Sequence, residues 1–141
     1  KDGTLTDEEK EWFNVGEYKK KKNFVGEIST SLPKEVCDDM KELLDWYYNI
    51  QEKRVEDIIE FHVRFERIHP FQDGNGRVGR LLMFWQCLQN GLTPFIVTED
   101  LRLYYYRGLQ NWGQVNGFLR DTILTAQDMF EDVMRYFGIR R

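Results

Sequence analysis

The chain has 141 residues, 41% of them hydrophobic and 15% aromatic, with a formal net charge of −4. That length fits one domain over residues 1–141, and the apolar fraction is enough to bury a core. The mild acidity argues against general nucleic-acid binding and no apolar run approaches roughly 18 residues, so neither nucleic acid nor a membrane is an expected partner, and the chain reads as a cytoplasmic protein.

Its two cysteines, Cys37 and Cys87, stand far apart and in no ligand spacing. They read as reduced thiols, not as a disulfide or a metal pair. The chain opens on Lys1-Asp2-Gly3, which reads as a trimmed N-terminus. Thr6 before Asp7, Glu8 and Glu9 predicts a short N-capped turn. From Gly16 to Ile28 no helical stripe appears, and the segment predicts an exposed hairpin or extended loop. The lysine run 19–22 within it reads as solvated. Ser31-Leu32-Pro33-Lys34-Glu35 is a helix start with proline in the first turn. Val36, Met40, Leu43, Leu44, Tyr47 and Tyr48 then recur at helical spacing, with Trp46 beside them.

A second helix is predicted from about Val55 to Ile68, striped by Ile58, Phe61, Phe65 and Ile68, with Ile59 and Val63 adjacent. His62 within it is read as packing or facing solvent. After a glycine-containing loop at 69–76, a third helix runs from about Arg77. Leu81, Leu82, Phe84, Trp85 and Leu88 make it apolar almost all round, which predicts a central position. Asn90-Gly91 stops it. Residues 93–98 connect to a fourth helix over Leu101 to Trp112. A fifth spans Val115 to Phe137, with an interruption expected near Gly117. The fold class is therefore all-α with one small β excursion near residues 16–28.

The chemistry concentrates at residues 69–80, His-Pro-Phe-Gln-Asp-Gly-Asn-Gly-Arg-Val-Gly-Arg. Gly74-Asn75-Gly76 gives the backbone freedom to aim several N–H groups at one anion, just where a helix N-terminus adds positive potential. Arg77 and Arg80 stand three apart on that helix, and two guanidiniums suit phosphate oxygens. Asp73 is a hard oxygen donor, and one carboxylate plus substrate phosphates is a common way to hold Mg²⁺. A neutral His69 imidazole beside the loop can take a proton from a hydroxyl. Together these parts describe phosphoryl or nucleotidyl transfer. Each part alone has a plainer reading as a turn, a solvated face or a structural histidine, and on residue types alone other kinds of anion site stay open.

The stretch resembles the signature of the Fic family, His-x-Phe-x-(Asp/Glu)-Gly-Asn-Gly-Arg-x-x-Arg. All eight fixed positions are met, by His69, Phe71, Asp73, Gly74, Asn75, Gly76, Arg77 and Arg80. The similarity extends from the Gly16-to-Gly26 segment to Tyr105-Tyr106. It implies a Fic-type helical bundle with a small hairpin flap at about 16–28, and transfer of AMP from ATP to a Ser, Thr or Tyr hydroxyl of a target protein, with release of pyrophosphate. By this resemblance His69 would be the general base and Asp73 the ligand of Mg²⁺ between the α- and β-phosphates. Gly74, Asn75 and Gly76 would form the anion hole, with Asn75 holding the α-phosphate. Arg77 would reach the β-phosphate side and Arg80 the γ-phosphate. Phe71 would anchor the loop and Pro70 stiffen it. Tyr105 and Tyr106 would line the adenine pocket, and the flap would hold the target by strand addition.

Where some relatives carry an adenine-contacting asparagine, this chain has Gly113, with Asn111 and Asn116 nearby. The base specificity is therefore not set by the resemblance. Doc-type kinases, which transfer the γ-phosphate, replace the glycine that is Gly76 here, so its retention favours AMP transfer. A Doc-like kinase or the toxin of a toxin–antitoxin pair is one alternative, and a catalytically silent nucleotide-binding domain is another. Many Fic proteins are restrained by a glutamate in the pattern (Ser/Thr)-x-x-x-Glu-(Gly/Asn). Neither Thr4 to Glu9 nor Ser31 to Val36 completes it. The inhibitory helix is then expected on a removed segment or an antitoxin partner, or it is absent.

Overall fold

A computed structural model describes residues 15–26 and 28–139; the turn expected at Thr6 to Glu9 lies outside them. The elements are β1 (Phe24–Val25), β2 (Ile28–Ser29), α1 (Val36–Asn49), α2 (Val55–Ile68), α3 (Asn75–Gln89), α4 (Arg102–Asn111) and α5 (Gly117–Tyr136), with single 3₁₀ turns at Pro33–Glu35 and Glu99–Leu101. The described chain is thus helical with one small hairpin, as the periodicities predict. It divides into two compact units. One takes residues up to Gln51 with Arg64–Gly79, the other Glu52–Val63 with the residues from Arg80 on.

In the first unit β1 and β2 pair antiparallel, Phe24 opposite Ser29 and Val25 opposite Ile28. Gly26 turns the hairpin at φ 59°, a region open to glycine because it has no Cβ. Strand pairing is narrower than the 16–28 segment, whose residues 16–23 run as turn and loop. Pro33 fixes a 3₁₀ turn ahead of α1, where the Glu35 carboxylate accepts the Leu32 N–H at 2.9 Å. The Ser31 hydroxyl donates to Asp39 at 2.6 Å. Val36, Met40, Leu43 and Tyr47 then form the buried stripe of α1. The stripe is two positions narrower than predicted, because Leu44 is only half-buried and Tyr48 is 69% exposed. Trp46 carries the Arg64 guanidinium over its ring at 4.8 Å, a cation–π contact.

The second unit has its own core: Ile58, Ile59 and Val63 from α2, Met83 and Cys87 from α3, Phe95 from the connection, Tyr105 from α4, and Leu119, Ile123 and Ala126 from α5. Cys37 is exposed on α1 and Cys87 is buried here, and no disulfide joins them. Helices α4 and α5 approach so closely that a Cβ on Gly108 would stand 2.6 Å from Leu119 Cβ and 2.7 Å from its Cα. Only glycine fits that crossing.

The enclosed helix is α2, not α3. Ile58, Ile59, Phe61, His62, Val63, Phe65, Glu66 and Ile68 are all buried. On α3, Leu81, Trp85 and Leu88 are 69%, 49% and 51% exposed. Asn75, Gly79, Met83 and Cys87 recur every four residues on its buried face, so the large apolar side chains opposite them are left outward. His62 packs: its Nε2 meets the Tyr105 hydroxyl at 2.5 Å.

Candidate functional site

Helix α2 ends at Ile68, and His69 follows with φ 52°. A left-handed backbone is uncommon for a residue with a Cβ and costs about 1–3 kcal/mol, so it persists only where its surroundings enforce it. Here they do. The His69 N–H donates to the Phe65 carbonyl at 2.9 Å, so His69 takes the position after a helix C-cap where glycine usually sits. Pro70 follows and disfavours right-handed helix for the residue before it. The His69 ring contacts the Glu66 carbonyl through Nδ1 at 3.3 Å. A carbonyl only accepts, so Nδ1 carries the proton in the neutral ring and Nε2 is left as the base. Burial pushes the imidazole below its usual value, and the Lys19 ammonium adds to this. The Glu66 carbonyl and the Asp73 carboxylate work in the other direction. His69 is therefore kept neutral near pH 7.

The loop from Phe71 to Arg77 is fastened by one side chain. Asn75 is 2% exposed. Its Oδ1 accepts the Phe71 N–H at 2.8 Å, and its Nδ2 donates to the Phe71 carbonyl at 2.7 Å. The Phe71 ring lies 5.9 Å from Tyr18 and 6.5 Å from Phe65, centroid to centroid. Asp73 is exposed, and its Oδ1 accepts the Gly74 N–H at 2.8 Å. Gly74 sits at φ 80°, and its carbonyl accepts the Val78 N–H at 3.0 Å, which starts α3. The N–H groups of the first helical turn have no partners within the helix and point along its axis toward the loop. A Cβ on Gly74 would meet the Arg77 guanidinium at 3.4 Å, so that side chain folds back over the glycine turn. The first unit thus brings His69, Asp73, Gly74, Asn75, Gly76 and Arg77 into one short segment of chain.

Arg80 belongs to the second unit. It lines a pocket of about 230 Å³ with Val97, Thr98, Glu99, Arg102, Tyr105 and Tyr106. That is below the roughly 300–1,000 Å³ of a site enclosing a whole small molecule, so it suits one portion of a ligand. Tyr105 is 1% exposed and Tyr106 41%; their rings meet edge-on at 5.3 Å. The Arg102 guanidinium lies 5.8 Å from the Tyr106 ring. Asn111 and Asn116 are engaged locally: Asn111 Nδ2 donates to the Arg107 carbonyl at 2.8 Å, and Asn116 Oδ1 accepts the Gly113 N–H at 2.7 Å.

Among the described residues no three His, Cys, Asp or Glu side chains gather as a metal cluster. A lone exposed Asp73 fits a divalent ion that takes its remaining ligands from phosphates and water. No helix of the described residues is long and apolar enough to cross a membrane. Two residues escape a reading of the sequence. Lys19, first of the supposedly solvated lysines, is 4% exposed, and Asn23 Nδ2 donates to the Phe71 carbonyl at 2.9 Å. Nothing local in a run of four lysines marks which one is inside.

The Fic/DOC family model matches residues 2–87. Protein adenylyltransferase fic-1 of Caenorhabditis elegans is 31% identical over 121 residues, 82% of this chain and 23% of that protein. Protein adenylyltransferase Fic of Nematostella vectensis is 32% identical over 112 residues, 75% of this chain and 26% of that one. The chain thus spans about a quarter of the length of these relatives. A Fic family protein from Desulfovibrio desulfuricans superposes with a TM-score of 0.71 at 27% identity, covering 99% of this chain and 45% of that one. Fic-1 (residues 134–508) from C. elegans superposes with a TM-score of 0.68 at 27% identity, covering 88% and 37%. By its twelve-residue motif, its helical fold and these likenesses, the chain belongs to the Fic/DOC family.

Proposed function

We propose that residues 1–141 act as a single Fic domain that transfers AMP from ATP to a Ser, Thr or Tyr hydroxyl of a target protein. The observation that carries the reading is the His69 imidazole, neutral and oriented through Nδ1, on the segment that leads into the Gly74 turn and the Arg77 guanidinium. The hydroxyl oxygen attacks the α-phosphorus and its proton passes to His69 Nε2. An O–P bond forms, the bond from the α-phosphorus to the bridging oxygen breaks, and pyrophosphate leaves with the electron pair.

The Asn75 side chain is committed to Phe71, so the contact we assign it with the α-phosphate is through its backbone N–H, beside those of Gly76 and Arg77. Gly74 supplies the turn. Arg77 faces the β-phosphate side and Arg80 the γ-phosphate. Asp73 would hold Mg²⁺, which supplies charge neutralisation on the phosphates. Tyr105 and Tyr106 would receive the base, and the hairpin at 24–29 would receive the target backbone by strand addition. A cytoplasmic setting is part of the same proposal. Neither Thr4–Glu9 nor Ser31–Val36 completes the restraining pattern, so a restraining glutamate is sought in an antitoxin partner or another segment, or is absent.

The test is the intact mass of this chain and of lysate proteins after incubation with ATP and Mg²⁺. A gain of one AMP on a protein is expected. A gain of one phosphate would instead make it a Doc-like kinase, and no gain under ATP-saturating conditions would make it a silent binding domain.

A further inference from the structure

Lysine is almost never fully buried, because its ammonium loses hydration worth several kcal/mol unless other groups replace it. Lys19 is 4% exposed. Its three N–H bonds meet three uncharged acceptors: Asn23 Oδ1 at 2.6 Å, Thr30 Oγ1 at 3.0 Å and the Ile68 carbonyl at 3.1 Å. Burial pushes its pKa down, and the Glu35 carboxylate offsets this only in part. A space that needed only filling would be better filled by an apolar side chain. The position of the charge indicates its use, for Ile68 is the last residue of α2 and precedes His69.

The carbonyls around that helix end can be followed one by one. Phe65 O and Glu66 O are taken by His69 itself, and Arg67 O by the Ser31 N–H at 3.4 Å. Ile68 O takes the Lys19 ammonium. His69 O takes Asn23 Nδ2 at 3.4 Å, Pro70 O the Lys19 N–H at 2.8 Å, and Phe71 O again Asn23 Nδ2. Further along, Gln72 Oε1 accepts the N–H groups of Lys20 and Lys21, each at 3.1 Å. The root of the hairpin therefore holds each of the four consecutive carbonyls from Ile68 to Phe71. The strained His69 backbone lies within that stretch, and Asn23 links it to the ammonium.

The geometry points to Lys19 as a positioning residue for the transfer reaction, one that fastens the hairpin root to the end of α2 and, with Asn23, holds His69 in its left-handed backbone state. This rests on the adenylyl-transfer reading above. The cation also sits where the helix dipole favours positive charge, and its field favours the neutral imidazole that a base requires. Lys19 bonds to Ile68 and Pro70, ahead of the Asn75–Arg77 phosphate contacts, and does not line the Arg80 pocket, so its loss should affect the chemical step more than the nucleotide's binding.

Three variants test it: Lys19→Met, which keeps the stem and removes the charge; Lys19→Arg, which restores it; and Asn23→Ala, which cuts the link to His69 and Phe71 while leaving the ammonium. The expected result is a roughly 10–100-fold fall in kcat for Lys19→Met and Asn23→Ala, with KM for ATP little changed and partial recovery in Lys19→Arg. Amide hydrogen exchange at His69 and Phe71 should quicken in the first two variants and slow again in the third. Unchanged kcat in a folded Lys19→Met, or KM for ATP rising as much as kcat falls, would overturn the proposal. If Lys19→Met does not fold, Asn23→Ala and Lys19→Arg decide the matter in the same way. If the unaltered chain transfers no AMP, the transfer reading fails by itself, and the exchange rates still decide whether Lys19 holds the loop.

Discussion

Replacing Asn75 by alanine isolates the fastening of the phosphate loop. The change removes both bonds to the Phe71 peptide, at 2.8 and 2.7 Å. The two losses are unequal. The Phe71 carbonyl keeps Asn23 Nδ2 at 2.9 Å, whereas the Phe71 N–H loses its acceptor beside a residue that is 2% exposed. An unsatisfied buried donor costs about 1–3 kcal/mol, and alanine's better helix propensity at the start of α3 returns about 0.5 kcal/mol. The expected destabilisation is therefore about 1.5 kcal/mol, which lowers a urea midpoint by roughly 0.7 M for a chain of this size. Under conditions where the variant is fully folded, AMP transfer should fall by at least about ten-fold, because the N–H groups that follow the turn are no longer held in place. A variant within about 0.5 kcal/mol of the parent that also transfers AMP at the parental rate would refute the view that Asn75 sets the loop.

The remaining predictions concern packing, proton transfer and the pocket. Gly108→Ala places a Cβ 2.6–2.7 Å from Leu119 Cβ and Cα. Because a backbone atom cannot rotate away, overpacking of about 1–3 kcal/mol should show in thermal melts; an unchanged melting temperature would mean that α4 and α5 separate freely. His69 is held below its ordinary imidazole value, so the rate against pH should have its acid limb below 6.5 and be flat above about pH 7. The same shift makes the fold bind fewer protons than the unfolded chain. Its stability contribution is complete above the unfolded pKa and is lost as pH falls through the folded one; a rate rising steadily through pH 8 would assign the acid limb elsewhere. Tyr106→Ala should weaken ATP binding without moving the unfolding midpoint, since that ring is 41% exposed in the pocket; unchanged affinity by calorimetry would remove it from the base site.

Much of the fold follows from spacing. The stripe Val36, Met40, Leu43 and Tyr47 and the dense apolar positions of α2 are periodic features that burial enforces. The glycines of the loop and the paired arginines are likewise local and legible. What periodicity cannot supply is which face of an apolar helix finds a partner, and so the outward Leu81, Trp85 and Leu88 of α3 went unforeseen. Nor can it supply polar contacts between distant residues. His62 meets Tyr105 across 43 positions, and Lys19 meets Ile68 across 49. Both look solvent-compatible in sequence, and both are buried because an acceptor or hydroxyl far along the chain replaces water. At the site, the identities of His69, Asp73 and Arg77 are legible in the motif. The positive φ of His69, its Nδ1 contact and the engagement of the Asn75 amide with Phe71 are matters of geometry alone.

The central claim is that His69 is the base for transfer to a protein hydroxyl. It is tested most directly by His69→Ala with α-labelled ATP and Mg²⁺, following label on protein and, in parallel, ATP affinity by calorimetry. Labelling should be abolished while ATP binds within about two-fold of the unaltered chain, because the base acts on the attacking hydroxyl and not on the nucleotide. Labelling at the unaltered rate would contradict the claim.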